Sequence, residues 1–282
     1  MAESIPSLLD LLDLEALEVD LFRGPPPDTD RQRVFGGQVA AQALVAAGRT
    51  VEESRHVHSL HAYFLRPGAT SSPILYEVDR SRDGRSFTTR RVVARQHGEP
   101  IFTMSVSFQV PETGLEHQVA IPPVADPESL ERPPGEEARA WSAIDLRFAG
   151  RDTWSLDDPT QTPPRTPPGQ RVWFRAAGDL PDDPLLHVCV LAYASDLTLL
   201  SSTLRPHGVS RRSPDLRMAS LDHAMWFHRP FRADQWLLYD QFSPSASGAR
   251  GLASGRIFTQ DGRLVASVVQ EGLIRFSPAE DA

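Results

Sequence analysis

The sequence predicts an α+β fold of two repeats, each with a central helix wrapped by an antiparallel sheet. Two apolar segments, "FGGQVAAQALVAAGRTV" and "PLLHVCVLAYASDLTLL", have the composition of helices that are enclosed by protein. Each is followed by strand patterns such as "IFTMSVSFQ", in which apolar and polar residues alternate. Between the two sets, residues 111–170 hold eleven of the 25 prolines, a density that prevents continuous regular structure.

The strands after the first helix have counterparts after the second. "HAYFLRPG" near residue 60 is similar to "HAMWFHRPF" near residue 223, and residues 81–98 align with residues 245–262. This alignment pairs Gly98 with Gly262, each within a short turn signal between two strand patterns. We therefore predict that both units contain the same antiparallel meander and that their sheets join edge to edge.

The repeat predicts three regions of the chain. An N-terminal unit spans residues 1–110, and a C-terminal unit spans residues 171–282. The proline-rich connection at 111–170 is expected to cross a surface of the fold, with one short element around residues 138–148.

The second central helix contains one discordant residue. Asp183 is a suitable N-cap and Pro184 suits the first helical position, so the helix is expected to begin there. Asp196 stands at the far end of the same apolar segment. A carboxylate is costly to bury, and the negative end of a helix dipole disfavours it further.

Two more polar residues stand where the repeat predicts apolar ones. Gln270 is the polar member of an otherwise apolar face of the last strand, and its counterpart is Val106 or Phe108. Ser220 matches Val57 when the Arg-Pro pairs are aligned. These residues and Asp196 could each be bonded separately to backbone or buried water. The alternative hypothesis is that the three converge and that each satisfies the others.

Composition excludes several classes of function. The formal net charge is −8 and no basic block stands out, which argues against general nucleic-acid binding. Cys189 is the only cysteine, and no group of His, Cys and carboxylate residues has metal-ligand spacing. No segment is judged long and apolar enough to span a membrane. The first residues do not resemble a signal or transit peptide, so we expect a cytoplasmic location.

Other enzyme signatures are missing from the sequence. "FGGQV" lacks the glycine pattern of a dinucleotide site or P-loop, and no G-x-S-x-G elbow is present. His223, His228 and Asp222 near Ser220 are interpreted as structural or supporting residues rather than catalysts. His61 has two interpretations, a structural strand residue or a residue that contacts substrate.

The sequence resembles the acyl-CoA thioesterase II family, whose members have a double hotdog fold. The resemblance rests on "VFGGQVAAQALVAA", "HSLHAYFLRPG", "YASDLTLL", "LDHAMWFHRPF" and "TQDGRLVASVVQEGLIR", which occur in the family's order. It implies hydrolysis of fatty acyl-CoA, of medium to long chain, to free fatty acid and CoA. It further implies a role in fatty acid metabolism, no cofactor, and a homo-oligomer.

Carried over by motif, the resemblance implies that Asp196, Ser220 and Gln270 are the catalytic residues of the C-terminal unit. Some members have Thr in place of Ser220. Asp196 would accept a proton from the attacking water as general base, while Ser220 and Gln270 hold the water or the carboxylate. A backbone N–H near Gly36 or Gly37 is the candidate oxyanion donor.

CoA carries phosphates, so an acidic chain that binds it is expected to keep a local basic patch. Arg82, Arg85 and Arg90, with two neighbouring arginines, form a cluster near the first hairpin. The cluster is either a phosphate-binding patch or an ordinary solvated sheet face.

Two other functions fit the same fold. A hotdog enoyl-CoA hydratase needs an Asp–His pair on one short segment, and "YASD" has no histidine at a matching place. A non-catalytic acyl-CoA-binding protein would gain little from a buried Asp196. Release of CoA thiol separates the hydrolase from both.

Overall fold

The helices and strands follow the two-unit order along the chain. The computed structural model describes residues 5–27, 29, 31–133, 142–151, 169–211 and 213–276. Its helices are α1 (Ile5–Leu12), α2 (Gly36–Gly48) and α3 (Pro184–Ser195), with 3-10 helices at Pro127–Ser129 and Leu199–His207. The first-unit strands are β1 (Glu15–Glu18), β2 (Leu21–Gly24), β3 (His56–Phe64), β4 (Ile74–Asp83), β5 (Phe87–Gln96) and β6 (Glu99–Gln109). The later strands are β7 (Ile144–Arg151), β8 (Gly169–Ala176), β9 (Leu216–Ser220), β10 (Asp222–Phe227), β11 (Leu237–Ser247), β12 (Arg250–Thr259) and β13 (Leu264–Phe276).

The strands form one antiparallel sheet across both units. Their order is β1-β2-β4-β5-β6-β3-β10-β13-β12-β11-β8-β7, and β9 pairs separately with β13. The units meet where β3 pairs with β10, with Leu60 opposite Met225. Gly98 and Gly262 have φ angles of 81° and 90°, as tight turns between paired strands require. The predicted hairpins and the edge-to-edge junction are therefore confirmed.

The two central helices pack against each other in opposite directions. Gly37, at the start of α2, lies so close to α3 that a Cβ there would be 2.5 Å from the Tyr193 carbonyl oxygen. At the other end of the pair, Gly48 of α2 lies against the side chain of Leu185 in α3. The beginning of α2 therefore adjoins the end of α3. The predicted N-cap is confirmed, since the Leu185 N–H donates to Asp183 Oδ1 at 2.9 Å.

Part of the predicted connection is a strand and part is a strap. β7 overlaps the expected short element and pairs with β8 at the sheet edge. Residues 121–130, here called the strap, cross the outer face of the second unit, where Ala125 accepts from Trp173 Nε1 at 3.0 Å and Glu128 from Trp236 Nε1 at 2.8 Å. The strap covers a small apolar cluster that includes Leu238 and Phe258. Residues 134–141 and 152–168 of the connection lie outside the described residues.

The expectation that no segment is long and apolar enough to span a membrane is wrong for one segment. Pro184–His207, which comprises α3 and the 3-10 helix after it, is long and apolar enough to cross a membrane by length and composition. Most of its apolar window is buried inside the fold, and α3 belongs to the main hydrophobic core. Its apolar character is therefore explained by its central position between the sheet and α2.

Candidate active site

Asp196 lies where the end of α3 meets the beginning of α2. It is the C-cap residue of α3, with φ −84° and ψ −8°. The Gly37 backbone N–H donates to its carboxylate. A Cβ on Gly36 would lie 2.8 Å from Asp196 Oδ2, so the glycine allows the carboxylate to approach α2. The positive end of the α2 dipole thus offsets the unfavourable dipole of α3.

Gln270 and Ser220 both bind the carboxylate of Asp196. Gln270 Nε2 donates to Asp196 Oδ1 at 2.6 Å and to Ser220 Oγ at 2.8 Å. Ser220 Oγ in turn donates to Asp196 Oδ1 at 3.4 Å. Strand pairing brings Gln270 and Ser220 together, because Gly272 of β13, two residues after Gln270, lies opposite Ser220 of β9. The three polar residues therefore lie within hydrogen-bonding distance of one another, as the hypothesis of convergence predicts.

Burial and hydrogen bonding have opposing effects on the acidity of Asp196. Burial raises the pKa of its carboxyl group, which is the largest effect. The Gln270 amide, the Arg211 charge, the Gly37 N–H and the Ser220 hydroxyl all lower it. The balance leaves the pKa at about 6, above the ordinary value of 3.8. A carboxylate of this kind is ionised near neutral pH and is a stronger base than an exposed aspartate.

Asp196 and Ser220 face a cavity of about 540 Å³. Gln270 is fully buried and lies behind them, outside the cavity lining. The apolar part of the lining consists of Val34, Phe35, Val39, Phe64, Leu65, Ile101, Phe102, Leu197, Leu200, Met218, Ala219 and Leu221. Its basic part consists of Arg31, Arg33, Arg66 and Arg211, and Asp196 is the one acidic residue among the lining residues described. The cavity thus combines an apolar wall, four cations and a single carboxylate.

A buried histidine supports the end of α3 from the side away from the cavity. Ser195 Oγ donates to the Ala192 carbonyl oxygen at 2.9 Å and lies 2.8 Å from His223 Nε2. This contact links the end of α3 to β10. Burial lowers the pKa of His223 to about 4, so the ring is neutral. The interpretation of His223 as a supporting residue agrees with this position, and its alternation with buried Met225 along β10 is the sequence signal for it.

The other residues predicted to bind substrate differ in whether they reach the cavity. Gly36 lines the cavity, and the Gly37 N–H is already bonded to Asp196. His61 is exposed, stands edge-on to Trp226 at 5.1 Å, and does not line the cavity. The position of His61 outside this cavity does not support the prediction that it contacts substrate, because strand alternation turns its side chain to the outer face.

The arginine cluster near the first hairpin also lies away from the cavity. Arg82 and Arg85 are exposed, and neither lines it. Arg90 is only 2% exposed and donates to Thr50 Oγ1 at 2.9 Å and to Asp83 Oδ1 at 2.7 Å. This position does not support the prediction that Arg90 binds substrate, because its guanidinium is enclosed and engaged by the protein.

No three His, Cys, Asp or Glu side chains within the described ranges lie close enough together to hold a metal ion. Cys189 is buried, and burial raises the pKa of its thiol above the ordinary value. This environment is that of an inert packed thiol rather than a nucleophile.

Family models and relatives cover almost all of the chain. Residues 25–109 match the acyl-CoA thioesterase N-terminal domain, and residues 152–273 match the acyl-CoA thioesterase model. Acyl-coenzyme A thioesterase 8 of Homo sapiens is 43% identical over 95% of this chain and 88% of its own length. Acyl-CoA thioesterase 2 of Haemophilus influenzae is 40% identical over 98% of this chain and all of its own.

Solved structures agree with these matches. The crystal structure of acyl-CoA thioesterase II TesB2 from Mycobacterium marinum superposes with a TM-score of 0.82 at 51% identity, covering 96% of this chain and 99% of that one. A hotdog-fold protein from Alicyclobacillus acidocaldarius, 20% identical, superposes with a TM-score of 0.78 over 97% of this chain and 99% of that one, and shows the fold alone. The predicted double hotdog architecture is confirmed. The chain belongs to the acyl-CoA thioesterase II family.

Proposed function

We propose that this thioesterase hydrolyses fatty acyl-CoA with a water molecule that Asp196 activates as general base. The observation that carries the proposal is a single carboxylate of raised pKa at the wall of a largely apolar cavity, held by the Gln270 amide and the Ser220 hydroxyl. A base with a pKa near the working pH combines the ionised state with a useful affinity for the proton.

The two oxygens of Asp196 have different roles in this mechanism. Oδ1 accepts the bonds from Gln270 and Ser220, and Oδ2 lies beside Gly36, which lines the cavity. We assign the proton of the attacking water to Oδ2. Gln270, buried behind the carboxylate, orients it, whereas Ser220 reaches the cavity and can also contact the water.

The reaction proceeds by addition and elimination at the thioester carbonyl. The water oxygen forms a bond to the carbonyl carbon as its proton moves to Asp196. The tetrahedral intermediate then breaks its carbon–sulfur bond, and the proton passes from Asp196 to the departing CoA thiolate. Free acid and CoA leave with no net change in the enzyme. The oxyanion is assigned to the Gly36 N–H at the first turn of α2, because the neighbouring Gly37 N–H is used on Asp196.

The apolar wall supports an acyl chain of medium to long length as the substrate tail. Phe35, Phe64, Phe102, Leu200 and Met218 all contribute to that wall. Burial of each methylene against such a surface adds about 0.8 kcal/mol to binding, so chain length should affect KM steeply.

The proposal is tested by measuring CoA thiol release from a series running from butanoyl-CoA to palmitoyl-CoA. Wild type should release thiol and prefer the longer substrates. Asp196→Asn, which keeps the shape and removes the base, should lower kcat by about two to four orders of magnitude. Wild type that binds acyl-CoA without releasing thiol would overturn the hydrolase, and full turnover by Asp196→Asn would overturn the base.

A parallel assay with an enoyl-CoA addresses the hydratase alternative. Loss of the enoyl absorbance without thiol release would favour hydration, and thiol release alone favours hydrolysis. Cytoplasmic location, a homo-oligomeric state and a role in fatty acid metabolism also remain predictions. Cell fractionation and size-exclusion chromatography with light scattering test the first two.

A further inference from the structure

We propose that Arg31, Arg33, Arg66 and Arg211 form the subsite that binds the phosphate groups of CoA. This inference rests on the proposed function, since it names the part of the same cavity that holds the nucleotide end of the substrate. It replaces the hairpin cluster of Arg82, Arg85 and Arg90, which does not reach the cavity.

The charge of the cavity lining is opposite to that of the whole chain. The chain has a formal net charge of −8, yet four arginines and a single carboxylate line the cavity. The lining therefore carries a net positive charge when Asp196 is ionised, and a larger one when it is protonated. A diphosphate and a ribose phosphate are the strongly anionic groups of CoA. Arginine binds phosphate oxygens with two parallel N–H donors, which makes it suited to this ligand.

The arginines are attached to fixed parts of the cavity wall. The Arg31 carbonyl oxygen accepts from Thr70 Oγ1 at 3.0 Å, and the Val34 N–H donates to the Gly68 carbonyl oxygen at 3.0 Å. These bonds hold the segment before α2 against the loop after β3. Arg33 lies between the two anchored positions and is exposed at the cavity. Its guanidinium can therefore reach a ligand while its backbone stays in place.

Arg66 and Arg211 are oriented through their own side chains. Arg66 Nη1 donates to the Pro100 carbonyl oxygen at 2.7 Å, and its Nη2 lies 3.2 Å from Glu99. That ion pair is half exposed, so its net stabilisation is small and a phosphate can compete for the guanidinium. Arg211 Nη1 donates to the Leu197 carbonyl oxygen at 3.4 Å, one residue beyond Asp196.

The four arginines come from both units of the fold. Arg31 and Arg33 precede α2, Arg66 follows β3, and Arg211 follows the 3-10 helix of the second unit. The first unit thus supplies three of the four cations, whereas Asp196, Ser220 and Gln270 come from the second. This division gives the first unit a direct part in substrate recognition.

The test compares two thioesters with the same acyl chain, acyl-CoA and acyl-pantetheine, which lacks phosphates. The readout is the ratio of their kcat/KM values. Arg33→Gln and Arg66→Gln should each lower this ratio about tenfold, because a hydrogen bond between charged groups is lost only with acyl-CoA. The ratio in wild type should also fall as salt is added, since these cations are partly exposed.

Arg95→Gln is the matched control for Arg66→Gln. Arg95 also pairs with a carboxylate, Glu77 at 2.9 Å, and with a backbone carbonyl oxygen, that of Gly98 at 3.3 Å. Its side chain is partly exposed, at 35% against 50% for Arg66, but it does not line the cavity. Its substitution should leave the ratio unchanged. An equal loss in Arg95→Gln and Arg66→Gln would overturn the subsite.

The outcomes separate this inference from the proposed function. If wild type releases thiol from neither substrate, the proposed function fails and the subsite fails with it. If wild type hydrolyses both and Arg33→Gln and Arg66→Gln keep its ratio, the hydrolase stands and the subsite is overturned. A reduced ratio in Arg82→Gln or Arg85→Gln, with normal ratios in the cavity variants, would return the phosphates to the hairpin cluster.

Discussion

The two central helices end in opposite electrostatic surroundings. Beyond the end of α2, the buried guanidinium of Arg90 donates to the Thr50 carbonyl oxygen at 3.1 Å and to its hydroxyl oxygen at 2.9 Å. A cation at the negative end of a helix is favourable. The end of α3 carries Asp196, an anion at the same kind of end. The first arrangement stabilises the fold, and the second keeps a base at the cavity against the local dipole.

The strand pairs beside the two helices also differ between the units. In the first unit, Arg90 of β5 lies opposite Val106 of β6. In the second, Ala253 of β12 lies opposite Gln270 of β13. Gln270 therefore faces a small residue on the neighbouring strand, whereas Val106 faces a large cation. The small side chain of Ala253 stands beside the polar member of the second pair, next to the cluster of Asp196, Ser220 and Gln270.

Replacing the cation at the first helix end should have the largest effect on stability. Arg90→Met keeps much of the apolar stem but leaves the Thr50 oxygens without their donor, so we expect a loss of about 2–3 kcal/mol in unfolding free energy. Urea unfolding measures it. Arg91→Met, on the exposed side of the same strand, should be nearly neutral. Turnover by folded Arg90→Met should equal that of wild type. A lowered rate would contradict the view that Arg90 serves stability and Asp196 serves catalysis.

Replacing the anion at the second helix end should change stability in the opposite direction. Asp196→Asn removes a buried charge whose pKa is raised to about 6, and we expect a gain of about 1–2 kcal/mol at pH 8. The Gln270 amide can rotate so that Oε1, which has no hydrogen-bond partner among the described residues, accepts from the new amide. Loss of stability at pH 8 would contradict this account.

The sign of this effect depends on pH. Because the folded chain binds the Asp196 proton more tightly than the unfolded chain, the contribution of this group to wild-type stability falls as pH rises from about 4 to about 6. Below that range the two proteins should differ little, and above it the difference should stay constant. Urea unfolding of both at several pH values measures the window.

The pH dependence of activity should follow the titration of Asp196 as well. A protonated Asp196 cannot accept a proton, so kcat/KM should fall about tenfold per pH unit below a midpoint at about 6 and level off above it. Arg211 lowers this pKa, so Arg211→Gln should raise the midpoint. A flat profile in wild type, or a lower midpoint in Arg211→Gln, would contradict the assignment.

The smallest expected effect is at Ser220. Ser220→Thr keeps the hydroxyl and adds a methyl group that restricts its rotamer, so activity should stay within about twofold of wild type. Ser220→Ala removes the acceptor for Gln270 and the donor to Asp196, so we expect a loss of about tenfold. Thiol-release assays on both measure the difference. Equal activities of the Thr and Ala variants would show that the hydroxyl is dispensable.

Much of the fold could be predicted because its signals are local. The alternation of "IFTMSVSFQ", the turns at Gly98 and Gly262, and the Asp183 cap each depend on residues close together in the chain. The strand β7 was harder to predict, because proline-rich flanks surround it and its only described strand partner, β8, lies beyond them. The convergence of Asp196, Ser220 and Gln270 was hypothesised from their polarity against an apolar repeat.

The sequence by itself determined the two-unit α+β architecture, the family, and the three polar residues at odds with the second core. Tertiary structure alone decided that Asp196 faces the beginning of α2, that Arg90 is enclosed, and that Arg31, Arg33, Arg66 and Arg211 line one cavity. The reason is physical. Periodicity and turn chemistry arise between near neighbours in the chain, whereas the field around a charge is produced by segments that only folding brings together.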